Sequence, residues 1–407
     1  MRKKALRSTP VRGARAGGPD LSGTNLERAG DHNQRVTLHA IRVNGPVTRA
    51  ELAAMTGLTA AAIANITKRL LKERLILQAG RLHGARGQPA TKLVINPDSC
   101  YSIGLNIDRD HITLVVLDFV GRVRARASRE IAFAKPATVR SFVQRCIGRM
   151  LIRAGIARDR LVGVGVAFPD DLTRTHLPDQ PDDYSVWAEV RVDDLIHDVL
   201  GIPVFVENDA AAAAIGEMQF GSGQRYRSFF YLLVTAALGG GLVADGSYFR
   251  GANGRSGEIG WLHSTDGSGA EAQLQKIVSL SALYARLADA GIRVTSPAGL
   301  SRLDAEAKCT LERWIHESTE ALVESFVAIN CLINPEAILI GGRLPAALVD
   351  RLAVALNTRM AGFAAQVPAL APVARAVTAA DAPAVGAAIL PFSDRFLPTR
   401  FALLKTG

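Results

Sequence analysis

The spacing of apolar positions changes twice along the 407-residue chain. Residues 1–30 are rich in Arg, Gly, Ser and Pro and show no period, which reads as a flexible basic tail. From His32 the apolar positions take on helical spacing. Val36, Leu38, Ile41 and Val43 predict a helix that stops at Asn44-Gly45-Pro46. Thr48 followed three residues later by Glu51 has the capping-box spacing, so a second helix starts there, with Leu52 and Met55 on its apolar face. Gly57 makes a tight turn, and Thr59 caps a third helix whose stripe is Ile63, Ile66, Leu70 and Leu71. Two short strands, Leu75–Gln78 and Lys92–Ile95, flank a loop ending in Arg86-Gly87-Gln88-Pro89. A short helix, a Gly turn, a longer helix and a hairpin make a winged helix-turn-helix.

From Tyr101 the period becomes that of strands. Ser102–Ile107, His111–Asp118 and Arg122–Phe133 predict a meander, followed by a helix near Ala137–Ala154 and a strand from Leu161. A similar unit begins at Phe229–Thr235, where Gly239-Gly240-Gly241 reads as a turn before a return strand at Leu242–Ala244. Ala337–Ile340 is a buried strand running into Gly341-Gly342. Two such halves predict a bilobal α/β domain with a ligand cleft between the lobes.

Charge divides the chain in the same place. Residues 1–99 hold 17 basic and 6 acidic side chains, and residues 100–407 hold 31 and 32, so the net charges are +11 and −1. A basic module that meets a polyanion is thus joined to a near-neutral one. Four well-separated cysteines form no CxxC pair, which fits a reducing cytosol and a cytoplasmic protein. No apolar run of membrane-spanning length occurs.

The chemistry of DNA reading follows from the third helix. Its outward side chains are Thr59, Ala60, Ala61, Ala64, Asn65 and Lys68. Asn65 suits an adenine edge and Lys68 a guanine or a phosphate, while Arg69, Lys72 and Arg74 suit phosphates. Arg86 beside Gly87 on an exposed wing suits a narrow minor groove.

Two segments of the second module carry a family resemblance. Gly201-Ile202-Pro203-Val204-Phe205-Val206-Glu207-Asn208-Asp209-Ala210 is similar to the first sugar-site motif of the ROK family (repressors, open reading frames, sugar kinases). Gly254-Arg255-Ser256-Gly257-Glu258-Ile259-Gly260 resembles the second. With the winged helix in front, the chain resembles a ROK transcriptional regulator over about residues 32–395. The resemblance implies an actin/hexokinase-like fold of two lobes. It also implies a sugar effector held by Asn208, Asp209, Glu258 and, across a gap, Gln275.

The chain also departs from the family. Where ROK kinases carry the phosphate loop Asp-x-Gly-Gly-Thr, it has Asn106-Ile107-Asp108-Arg109-Asp110. The glycines that admit phosphates are gone, and two acids would repel a triphosphate. The second phosphate loop is Thr235-Ala236-Ala237-Leu238-Gly239-Gly240-Gly241, with its Thr and first two glycines replaced. Asp209 sits where the kinases place a base, but a base without a phosphoryl donor transfers nothing. The family's zinc-binding His is Trp261 here, and Leu262–Gln275 contains no Cys, so neither a metal nor any other cofactor is expected. Trp261 suits stacking on a pyranose or a place in the core.

The expected organisation is a tail at 1–30, a winged helix-turn-helix at 31–98 and a ROK domain at 99–407 whose C-terminal helix returns to the first lobe. The expected function is a homodimeric or homotetrameric repressor that binds double-stranded operator DNA, answers a sugar or sugar derivative, and is not an enzyme. Two other readings stay open: a sugar kinase with an added DNA-binding domain, and a ligand-independent DNA-binding protein with a scaffold domain.

Overall fold

The computed structural model describes residues 26–82, 90–170, 172, 180–378 and 381–398. Three helices come first, α1 (Leu26–Asn44), α2 (Arg49–Thr56) and α3 (Ala60–Lys72). Reciprocal bonds start α2: the Glu51 amide donates to Thr48 Oγ1 (3.3 Å), and the Thr48 amide donates to the Glu51 carboxylate (2.7 Å). Gly57, at φ 70°, takes the left-handed conformation that ends α2, and the chain bends by 116° into α3. The antiparallel strands β1 (Ile76–Leu82) and β2 (Ala90–Ile95) follow them, in the order expected of a winged helix-turn-helix. Leu38, Ile41, Leu52, Ile63, Leu70 and Leu93 are among the buried side chains of these elements.

Helix α1 begins inside the segment expected to be a tail. Its second and third turns are tied by contacts that composition does not reveal. Arg35 pairs with Asp31 one turn earlier (2.9 Å) and donates to the carbonyl oxygen of Asp394 near the C-terminus (2.7 Å).

The first lobe follows: β3 (Tyr101–Ile107), β4 (His111–Asp118), β5 (Val123–Glu130), α4 (Pro136–Ala154), β6 (Leu161–Ala167), α5 (Val192–Leu200), β7 (Val204–Glu207) and α6 (Asp209–Phe220). Its sheet has the order β5-β4-β3-β6-β7, antiparallel from β5 to β3 and parallel from β3 to β7.

The second lobe repeats this plan. It contains β8 (Phe229–Val234), β9 (Leu238–Ala244), β10 (Ser247–Tyr248) and a hairpin of β11 (His263–Thr265) and β12 (Glu271–Gln273). Helices α7 (Gln275–Val278), α8 (Leu280–Asp289), α9 (Pro297–Leu300) and α10 (Ala305–Ile333) follow. The last described elements are β13 (Ala337–Gly342), α11 (Ala346–Ala361), β14 (Val373–Arg375) and α12 (Ala382–Phe396). The sheet order is β10-β9-β8-β13-β14, with the same antiparallel and parallel halves.

The three glycines at 239–241 correct the sequence reading. They lie inside β9, opposite Leu233, Leu232 and Tyr231, and the turn comes earlier, at Thr235–Ala237. Their lack of a side chain serves helix–sheet packing. A Cβ on Gly239 would meet the Ala210 Cβ at 2.9 Å, and one on Gly241 the Ala214 Cβ at 2.6 Å.

Helix α12 crosses back onto the first lobe with similarly close contact. A Cβ on Gly104 of β3 would lie 1.9 Å from the Ala384 carbonyl oxygen, and one on Gly165 of β6 1.8 Å from that of Ala387. The winged module shares in this core. One apolar cluster contains Leu38 and Ile41 of α1, Leu117 and Phe119 of the first lobe, and Phe392 of α12.

Candidate functional site

Two elements of the cleft are built by α6 and the end of β7. Asn208 caps α6: its Oδ1 accepts from the amides of Ala210 (2.9 Å) and Ala211 (3.1 Å), and its Nδ2 donates to Asp170 (3.3 Å). The preceding Glu207 is buried and pairs with Arg250, so it is not open to a ligand. Asp209 opens the helix beside Asp108, Asp170 and Arg109. Burial, with Asp108 and Asp170 nearby, pushes its carboxyl up to about 7 against the pull of Arg109.

Glycine contacts bring the other two predicted residues toward this end of α6. Gly239 abuts Ala210, Gly240 abuts Gly257, and Gly260 sits under the Leu238 carbonyl and beside Gln275. Glu258 therefore stands at the start of a short 3-10 turn against β9, where its carboxylate is bridged by Arg255 (2.8 Å). Gln275 is buried and donates to Gln273 (3.0 Å). Trp261 is 39% exposed and so is not a core residue. Trp187 is in the core, with its indole N–H donating to the Ala134 carbonyl (3.0 Å).

The loop between β3 and β4 decides what else the cleft admits. The Arg109 amide donates to Asp108 Oδ1 (2.7 Å), while Asp108 Oδ2 is buried without a partner. Asp110 accepts from His111 Nδ1 (2.7 Å) and from Arg343 of the second lobe (2.5 Å). Arg343 also pairs with Glu130 at the end of β5. Burial alone would raise the Asp110 carboxyl, but His111 and Arg343 outweigh it and hold it below the usual range. An ion-pair cluster spanning both lobes thus stands where a phosphate loop would need empty space and free amides. Beside it lies a cavity of about 300 Å³ lined by Arg109 and Phe133 from one lobe and Ala236, Tyr284 and Val294 from the other.

Among the described residues, one group places possible metal ligands within 4.8 Å of one another: Asp108, Asp110 and His111. His111 is already engaged by Asp110 and Asn106, and Asp110 by Arg343, so two of the three donors are spent on protein partners and only Asp108 Oδ2 is left.

On the winged module, Thr59 caps α3 by accepting from the Ala62 amide (3.2 Å). Thr59, Ala60, Ala61, Ala64, Asn65 and Lys68 are all exposed, as are Arg69 and Lys72. Arg69 is paired with Glu73 (3.0 Å). Arg86 and Gly87 lie outside the described residues.

The profile of the ROK family matches residues 102–393. The chain belongs to the ROK family. It is 29% identical over 367 residues to the protein y4fQ of Sinorhizobium fredii, covering 89% of this chain and 91% of that one. It is 28% identical to a xylose repressor of Bacillus spizizenii over 231 residues, which is 56% of this chain and 60% of the repressor. Among solved structures, it resembles a ROK transcriptional regulator described as a homologue of the E. coli Mlc protein (TM-score 0.66, 20% identity, 90% and 96% of the two chains). It also resembles a ROK hexokinase of Thermus thermophilus (TM-score 0.52, 25% identity, 72% and 98%).

The segment that the resemblance matches to the family's zinc site forms the β11–β12 hairpin. The turn is tied by Asp266, whose carboxylate accepts from the amides of Ser268 (2.9 Å) and Ala270 (3.0 Å). His263 is exposed and pairs across the strands with Gln273. Sequence reasoning missed Arg343. Its one local signal is a cation directly after a buried strand and two glycines, but its partners lie far away in the chain.

Proposed function

We propose that this ROK protein is a DNA-binding transcriptional repressor of carbohydrate-related genes. In this reading α3 and the wing read an operator, and the cleft beside Asn208, Asp209 and Glu258 takes a sugar or sugar derivative. The observation that carries it is the pairing of an exposed helix-turn-helix face with a phosphate-loop position filled by the Arg343–Asp110 ion pair. A chain with a DNA-reading face and a phosphate-loop position occupied by an ion pair is suited to regulation rather than transfer. The name of the Bacillus relative, a xylose repressor, supports the same reading. Two-fold assembly would match a palindromic site, and a ligand acts by binding the DNA-free and DNA-bound states unequally.

The test is binding of the full chain to DNA from upstream of its own gene. Asn65→Ala and Lys68→Ala should each weaken it, with Asn65 changing the preferred sequence and Lys68 lowering affinity across sequences. In parallel, a hexose panel with ATP should give no turnover. Phosphorylation that is lost in Asp209→Asn would replace this reading with that of a kinase.

A further inference from the structure

We propose that the first lobe carries a second DNA-contacting surface, an arginine groove between β5 and α4 that holds the phosphate backbone beyond the segment read by α3. The proposal rests on the DNA-binding reading above and extends it to the module whose net charge is near zero.

That neutrality conceals a local excess. Residues 122–154 hold nine basic side chains and one acidic one, a net of +8. Residues 100–407 total −1, so the remainder of that module carries −9. The structure gathers this charge into one place. Edge strand β5 presents Arg124 and Arg126, and α4 presents Arg149 and Arg153, around a cavity of about 360 Å³ with Ala125, Ala127 and Met150 in its lining. Arg145, Arg149 and Arg153 are exposed and follow one another at i, i+4 and i+8, a straight stripe with a step of about 6 Å.

The groove arginines divide into two kinds. Arg124 and Arg126 are anchored by acids, Asp98 (2.7 Å) and Asp381 (2.6 Å). Among the described residues, Arg145, Arg149 and Arg153 have no carboxylate within 4 Å; the Arg149 Nε donates to the Arg145 carbonyl (3.0 Å). Like charges at i, i+4 repel on a helix. Three in a row without an internal counterion are a cost to folding that an external polyanion would offset.

The position of the groove selects the polyanion. Asp98, which holds Arg124, lies just beyond β2, in the segment joining the winged module to β3. Arg160 donates to the carbonyl of the same Asp98 (2.9 Å). At that end of β5, Val123 pairs with Leu117, which shares its apolar cluster with Leu38 and Ile41 of α1. The stripe on α4 therefore starts at Arg153, beside the module that reads DNA, and runs away from it. Duplex DNA is the polyanion already delivered to that end, and its backbone offers phosphates in a continuous line.

The test uses the full chain, with fluorescence anisotropy on random-sequence duplexes of about 15 and about 40 base pairs across a salt series. The triple variant Arg145→Gln, Arg149→Gln, Arg153→Gln should bind the longer duplex roughly tenfold more weakly. The slope of log K against log salt should shrink by about 2–3, near 0.9 for each lost phosphate contact. Binding to the shorter duplex should not change. Lysine at the three positions should restore the slope, since phosphate needs only the charge. An unchanged salt slope in the glutamine variant, with its melting temperature preserved, overturns the proposal. So does loss of binding to phosphatidylserine vesicles without any effect on DNA. If the wild type binds neither duplex, the failure lies in the DNA-binding reading itself.

Discussion

Asp209 shows how much one position owes to its surroundings. As a free side chain it would be ionised from about pH 4 upward. In the cleft, burial and the neighbouring carboxylates hold it protonated up to about pH 7. The sign of the effect follows from linkage. The folded state binds this proton more tightly than the unfolded chain does, so the penalty for ionising it is absent below the unfolded pKa and complete above the folded one. Stability should therefore fall as pH rises from about 4 to about 7. Asp209→Asn removes the titration, and its melting temperature relative to wild type should rise over that range. A difference that stays flat from pH 4 to 8 would refute the assignment. The Asn208 cap is local and needs only the two amides that follow, yet the sequence reading gave Asn208 a sugar-binding role and left the cap unread. Arg343 was not legible, because its bond to Asp110 closes a separation of 233 residues.

At the scale of elements, small residues set how closely the helices approach. Gly386 of α12 faces α6, and a Cβ there would lie 1.7 Å from the Ala212 carbonyl oxygen. Backbone cannot yield as a side chain does, so Gly386→Ala should cost at least the 1–3 kcal/mol typical of overpacking, roughly. A thermal unfolding curve matching wild type would contradict the contact. The start of α2 offers a milder case. Thr48→Ala breaks the capping box with Glu51 and should cost about 1 kcal/mol, read as a lower denaturant midpoint. The same contrast explains which elements could be read in advance. The cap and the Gly57 turn are local events, and the caps expected at Thr48 and Thr59 are the ones that form. The glycines at 239–241 looked like a turn because glycine usually marks one. Their use in close packing depends on α6 for Gly239 and Gly241 and on Gly257 for Gly240, all of which lie elsewhere in the chain.

At the scale of the molecule, the lobes are joined by Arg343, which bridges Asp110 and Glu130 across the cleft. Arg343→Met should loosen the two lobes. The cost should fall below the roughly 3–5 kcal/mol of breaking a fully buried pair, because Glu130 is half exposed. Small-angle scattering should show a larger radius of gyration, and an unchanged radius would count against the latch. The winged module is likewise more than an appendage on a linker. Arg42 of α1 donates to Gln219 near the end of α6 and lies over the Phe220 ring (5.7 Å). Helix α6 therefore runs from Asp209 in the cleft to a contact with the DNA module. Removing residues 1–98 should abolish DNA binding and also destabilise the remainder, since Leu117, Phe119 and Phe392 lose part of their cover. A truncated chain melting at the wild-type temperature would show the modules to be independent.

The sequence by itself determined the features whose causes are local or periodic. These are the capped helices and the alternation of strands and helices; the two motifs and the departures from the phosphate loops came from the resemblance to the ROK family. The sequence also divided the charge at residue 99. Only the tertiary structure decided where distant groups meet. It placed Arg343 against Asp110, packed β9 on α6 through Gly239 and Gly241, and joined α1 to the core of the first lobe. It also set the arginines of β5 beside those of α4, which a net charge of −1 for residues 100–407 had averaged away. The reason is physical: caps and periods act over a few residues, whereas ion pairs, close backbone contacts and charge clusters act through space.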